Sequence, residues 1–98
     1  MIRDFFLGFI RIHILHHASR EPVYGLWLIE ELGMHGYRLS PGTIYPILHK
    51  LEEEKLLESL SENINGKIRR YYRTTPMGLK ALSKAKERIA ELVEEVMD

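Results

Sequence analysis

Seven cations stand together in this chain with no acid between them. From Asn63 to Lys86 they are Lys67, Arg69, Arg70, Arg73, Lys80, Lys84 and Lys86. Acids flank the stretch: Glu52, Glu53, Glu54, Glu58 and Glu62 before it, and Glu87, Glu91, Glu94, Glu95 and Asp98 after it. Seven positive charges over 24 residues create a field that reaches a Debye length, about 8 Å at physiological salt, whatever the total charge. Taken alone, the run Lys67–Arg73 reads equally well as an edge strand kept from aggregating by its charge. After a capped helix and an Asn-Gly turn, contact with phosphates is the better reading.

Histidines offer a second chemistry. His13 and His17 stand one helical turn apart with His16 beside them, a spacing at which neutral imidazoles share a zinc ion. A site also needs a third and fourth ligand, and the chain has no Cys. Ordinary helix-face or interface histidines are therefore expected, with no metal and no cofactor. Enzyme chemistry finds no footing, because there is no Gly-rich phosphate loop, no plausible Ser-His-Asp arrangement and no obviously buried Glu pair.

The chain that must position these groups has 98 residues, 45% hydrophobic and 29% charged, enough for one globular domain with a real core. A chain of this size buries only about 60–65% of its unfolded surface, so a partner subunit would be no surprise. Fourteen Lys and Arg against fourteen Asp and Glu give a formal charge of zero, which argues against a nucleic-acid binder until the segregation of charge is considered. The lack of Cys excludes a disulfide scaffold and a thiolate nucleophile. No apolar run approaches the roughly 18 residues of a membrane span, and MIRDFFLGFI is too short and too acidic for a secretory signal. A cytoplasmic protein is expected.

Breakers divide the chain into helices and one hairpin. Ile2, Phe5, Phe6, Phe9, Ile10 and Ile14 recur at helical spacing over about Ile2 to His17, and Glu21-Pro22 ends that region. A shorter helix fits Tyr24 to Leu32. Ser40 as N-cap and Pro41 at the first helical position start a third helix reaching about Glu54. Its core arc is Ile44, Ile47, Leu48 and Leu51; Gly42, Thr43, Pro46, His49, Lys50 and Glu53 lie opposite, with Tyr45 on the border. Asn65-Gly66 then joins strands Leu56–Ser61 and Lys67–Thr74 as a two-residue turn. A last helix, capped by Thr75 with Pro76 following, carries Leu82, Ala85, Ile89, Leu92 and Val96 at coiled-coil spacing.

Three helices, a basic hairpin and a final helix make a mainly α fold, the ground plan of a winged helix-turn-helix plus a C-terminal dimerisation helix. Residues 1–74 would be the DNA-binding part and 75–98 the dimerisation helix, in one compact unit. In such a plan the third helix enters the major groove and the hairpin reaches along the backbone. Gly42, Thr43 and Pro46 keep that helix's outer face small, and its first-turn N–H groups can meet a phosphate. Tyr71 and Tyr72 should split, one packing on the core and one outward. For Tyr45, packing at the helix border and a phosphate hydrogen bond are both open readings.

The run YGLWLIEEL, then LSPGTIYPILHKLEEEKLLE, then GKIRRYYRTTPMGLKAL resembles the PadR family of bacterial and archaeal transcriptional regulators. The likeness covers about Phe5 to Leu82. Its marks are Tyr24-Gly25, the block Leu39-Ser40-Pro41-Gly42-Thr43-Ile44-Tyr45-Pro46, and a wing ending Arg70-Tyr71-Tyr72 before Thr75-Pro76 and Gly78. The resemblance implies a homodimeric DNA-binding repressor of the short kind, without a large effector domain. It places Tyr24, Ser40, Pro41, Gly42, Thr43, Tyr45 and Lys50 near double-stranded DNA, with Lys67, Arg69 and Arg70 from the wing. The first and last helices would form the dimer seam from Phe5, Phe6 and Phe9 against Leu82, Ile89, Leu92 and Val96. Where the family commonly has Gly-Arg at the wing tip, this chain has Gly66-Lys67, which keeps a cation and loses bidentate geometry. No Trp stands on the last helix to stack a planar drug. The function expected is sequence-specific transcription regulation at a pseudo-palindromic operator; the alternative is a winged-helix module that binds only protein.

Overall fold

Prolines and apolar spacing set the helix boundaries, and left-handed residues set the turns. The computed structural model describes residues 2–98, the Ile2 side chain excepted. Its elements are α1 (Ile2–Arg20), α2 (Gly25–Met34), α3 (Pro41–Glu53), β1 (Leu57–Ile64), β2 (Lys67–Thr74) and α4 (Pro76–Val96). The mainly α winged-helix plan holds, with three refinements. α1 runs on to Arg20, just short of Pro22; Tyr24 caps α2 rather than opening it; and β1 extends to Ile64, so the wing is longer than its alternation suggested.

Both α2 and α3 end in the same way. The N–H groups of Gly36 and Tyr37 return to the carbonyls of Gly33 and Leu32, and those of Lys55 and Leu56 to Glu52 and Leu51. Each pair satisfies two helix-end carbonyls and turns the chain sharply through a left-handed residue. That residue is Gly36 at φ 91° in the first case and Lys55 at φ 65° in the second. The first turn aims the chain from α2 into α3, and the second aims it from α3 into the wing.

β1 and β2 pair antiparallel from Leu57 opposite Thr74 to Ile64 opposite Lys67. Asn65 and Gly66 both have positive φ, 52° and 82°, as a type I′ turn requires. The hairpin joins the helical body at its root. Val23, between α1 and α2, exchanges two hydrogen bonds with Tyr72, at 3.0 and 2.7 Å. The Thr74 hydroxyl donates to the Leu15 carbonyl at 2.8 Å.

Ile14, Leu28, Leu32, Ile44, Leu48, Leu51 and Leu57 are the largest fully buried side chains. The arc assigned to α3 from sequence is thus its buried face. α1 contributes Ile10, Ile14, Leu15 and Ala18, from its middle to its C-terminal end. Its N-terminal half and the C-terminal half of α4 carry mostly exposed apolar groups, and the molecule measures 53 Å along its longest axis against 28 and 20 Å. Leu82, expected on a dimer seam, is only 4% exposed and belongs to the chain's own core, because it falls where α4 still packs against α1.

Thr75 caps α4, its hydroxyl accepting from the Gly78 N–H at 3.0 Å and donating to the Lys55 carbonyl at 2.6 Å. This first turn packs so closely that a Cβ on Gly78 would overlap the Leu56 carbonyl oxygen and sit 2.7 Å from Thr74 Cγ2. Backbone cannot yield as a flexible side chain does. Gly78→Ala should therefore lower stability by about 1–3 kcal/mol, several degrees in Tm; an unchanged melting curve would contradict this packing.

Candidate nucleic-acid interface

The basic stretch is continuous in sequence but divided in space. Arg73 pairs with Glu58 across the hairpin, Nη2 to Oε1 at 2.7 Å, so that cation is neutralised. Lys80, Lys84 and Lys86 leave with α4, and Lys86 lines a cleft between α1 and α4. Lys67, Arg69 and Arg70 remain on the distal half of β2. Among the described residues none of these three is in an ion pair.

Aromatic rings place that remnant. Tyr24, at the start of α2, meets the edge of Tyr71 with ring centroids 5.6 Å apart, and the Arg69 guanidinium lies 4.1 Å over the Tyr24 ring. Such stacking leaves the guanidinium N–H groups available around the ring while fixing where the charge sits. Hydrogen bonding to the Tyr71 side chain raises the Arg69 pKa, and burial pushes the Tyr72 phenol up. At neutral pH Arg69 is a permanent cation and Tyr72 a neutral phenol. The two tyrosines split as expected, Tyr72 buried in the core and Tyr71 half-buried against Tyr24.

Tyr45 packs over the first residue of α2. A Cβ on Gly25 would come within 2.5 Å of its hydroxyl, so the absence of a side chain at Gly25 lets the ring lie there. Tyr24, Tyr45, Lys67, Arg69 and Arg70 consequently line a single open groove between the start of α2, α3 and the wing. The tip residues Ile64, Asn65 and Ile68, together with Leu26, complete it. The sequence reading did not name them as site residues, although the Asn-Gly turn marked their position.

The first turn of α3 presents backbone. Ser40 occupies the N-cap position with extended backbone, yet its side chain makes no capping hydrogen bond and lies 3.4 Å from Thr43 Oγ1. Ser40 is thus the N-cap residue expected from sequence, without the side-chain hydrogen bond its type allows. The N–H groups of Thr43 and Ile44 both reach the Ser40 carbonyl, and Pro41 has none to offer. Gly42 is left with an N–H that has no protein acceptor among the described residues. It sits at the positive end of the helix dipole. Pro41, Gly42 and Lys50 are exposed and Thr43 half-exposed. Arg38, exposed in the turn before α3, shares a shallow depression with Ser40; the sequence reading passed over this cation.

Comparison with known proteins fits this geometry. The PadR-like transcriptional regulator family matches residues 14–84. The chain belongs to this family. It is 48% identical to transcriptional regulator Rv3488 of Mycobacterium tuberculosis over 96 residues, covering 98% of this chain and 90% of that one. Transcriptional regulator YqjI of Escherichia coli is 35% identical over 95% of this chain, which spans only 44% of that longer protein. Among solved structures, a PadR family regulator from Eggerthella lenta superposes with a TM-score of 0.84 at 34% identity, covering 98% of this chain and 85% of that one. A PadR-like transcription factor from Bacteroides fragilis gives 0.85 at 27% identity, with 96% and 92% covered. This PadR-like chain is thus a transcriptional regulator and not an enzyme. Among its described residues no helix is long and apolar enough to cross a membrane.

The Tyr24 stack should hold the wing's distal half in place. An edge-to-face aromatic pair contributes about 0.5–1.5 kcal/mol beyond burial. In Tyr24→Ala, amide hydrogen exchange should quicken at Arg69 and Tyr71 while the Tyr72 N–H, bonded to the Val23 carbonyl at the root of β2, keeps its protection. Equal change at all three amides would contradict this.

Proposed function

We propose that the chain is a DNA-binding transcriptional regulator, acting as a repressor on a pseudo-palindromic operator as a homodimer in the cytoplasm. The observation that carries this reading is the groove where Tyr24, Tyr45, Lys67, Arg69 and Arg70 converge, next to the exposed first turn of α3. The spacing of cations and stacked rings suits a phosphate backbone, and the small surface at Pro41 and Gly42 lets α3 approach base edges. Lys67, Arg69, Arg70 and Lys50 would supply phosphate contacts and most of the affinity. Ser40, Pro41, Gly42, Thr43 and Tyr45 would set register and base selection from the start of α3. Residues 1–74 act as the DNA-binding part and 75–98 as the dimerisation helix.

The dimer reading is supported by apolar side chains left without a cover. Phe5, Phe6 and Phe9 on α1 are 62%, 49% and 45% exposed, and Ile89, Leu92 and Val96 on α4 are 38%, 52% and 63% exposed. Joined across a two-fold axis, those faces would bury one another and set two α3 helices about 34 Å apart, one turn of B-DNA.

The test is a mobility shift with duplex from upstream of the chain's own gene, at several salt concentrations. Changing Arg69 and Arg70 to Ala should weaken binding to every sequence and reduce the slope of log K against log salt by about 2 per bound subunit. No shift for the parent chain would overturn the DNA-binding reading. An unchanged slope in the variant would overturn the role given to the wing.

A further inference from the structure

Four groups that could bind one cation converge between the C-terminal half of α1 and the end of α2. His13 and His17 project from α1. The packing of α2 against α1 sets His35, the C-cap residue of α2, beside them, so that one ring nitrogen from each of the three lies within 4.8 Å of the others. The His13 and His35 rings are 4.9 Å apart, centroid to centroid. Glu31, one turn before His35, reaches two of the three, with Oε2 at 3.1 Å from His35 Nε2 and 3.7 Å from His17 Nε2.

From this convergence we infer that His13, His17, His35 and Glu31 form a binding site for a borderline divalent transition-metal cation of the zinc class. Three imidazoles and one carboxylate match the preference of such ions for nitrogen donors in four-coordinate geometry. Ligands at about 2.0–2.1 Å in a tetrahedron lie about 3.3 Å apart. The imidazole nitrogens must therefore close by about 1.5 Å, which small side-chain rotations supply, since His13 and His17 are half-buried and His35 is exposed. An ion-pair network alone accounts for Glu31, His17 and His35 but leaves out His13, which among the described residues is in no ion pair and lies against the rings of His17, His35 and Tyr37.

The spacing of His13 and His17 gave two donors; the third and fourth stand one helical turn apart on α2, and only the packing of α2 against α1 brings the two pairs together. The inference stands apart from the DNA-binding reading, and its test uses the chain with no DNA present. Titration of the metal-free protein with Zn2+ should give saturable binding at one ion per chain, and Co2+ in its place should give the visible absorption of a four-coordinate nitrogen site. His35→Ala and, independently, His17→Gln should each weaken Zn2+ binding by roughly tenfold or more. His16→Ala and His49→Ala should bind as the parent does, with circular dichroism showing all four variants folded. Absent saturable binding, retained affinity in His35→Ala and His17→Gln, or an equal loss in the His16 and His49 variants would each overturn the site.

Discussion

Two hydrogen bonds between Val23 and Tyr72 decide where the wing points. They tie the link between α1 and α2 to the hairpin's root, where the Tyr72 ring enters the core and the Thr74 hydroxyl reaches the Leu15 carbonyl. A two-stranded hairpin is marginal by itself in water. Fixed at this joint, it instead becomes a rigid arm whose distal half projects beside α3. The adjacent residue, Tyr24, then meets Tyr71 and Arg69 on the arm's other face. Backbone pairing at one residue and ring stacking at the next hold both sides of β2.

From that joint follows the electrostatic design of a chain with no net charge. Neutrality is reached by segregation. Glu58 cancels Arg73 near the hairpin's root, while Lys67, Arg69 and Arg70, further out, are in no ion pair among the described residues. Removing a phosphate-sized anion from water is favourable only where donors are already oriented. The stacked Arg69 and the uncommitted Gly42 N–H both meet that condition, one by packing and the other by the absence of a capping side chain.

Much of this was legible in the residues. Ser40-Pro41 and Thr75-Pro76 marked two helix starts, Asn65-Gly66 marked the hairpin turn, and the arc from Ile44 to Leu51 marked the buried face of α3. Each is a local signal in which residue type dictates backbone or burial within a few positions. What escaped was non-local. Nothing in the sequence near Val23 announces its bridge to Tyr72, and Arg73 looked as free as Arg70 until cross-strand register set it beside Glu58. Leu82 fits a coiled-coil period, yet tertiary packing claimed it for the core. Ser40 has the right residue type for a cap, but its hydroxyl turns toward Thr43.

The central claim is that the start of α2, the first turn of α3 and the distal wing form one surface for duplex DNA. The most direct measurement is an amide NMR titration of the protein with a short duplex at low salt. Shifts should concentrate at Tyr24, Gly42, Thr43 and Lys67–Arg70, with the C-terminal turns of α4 unmoved. Perturbations gathered instead on Phe5–Phe9 or Ile89–Val96, with the wing silent, would contradict the account.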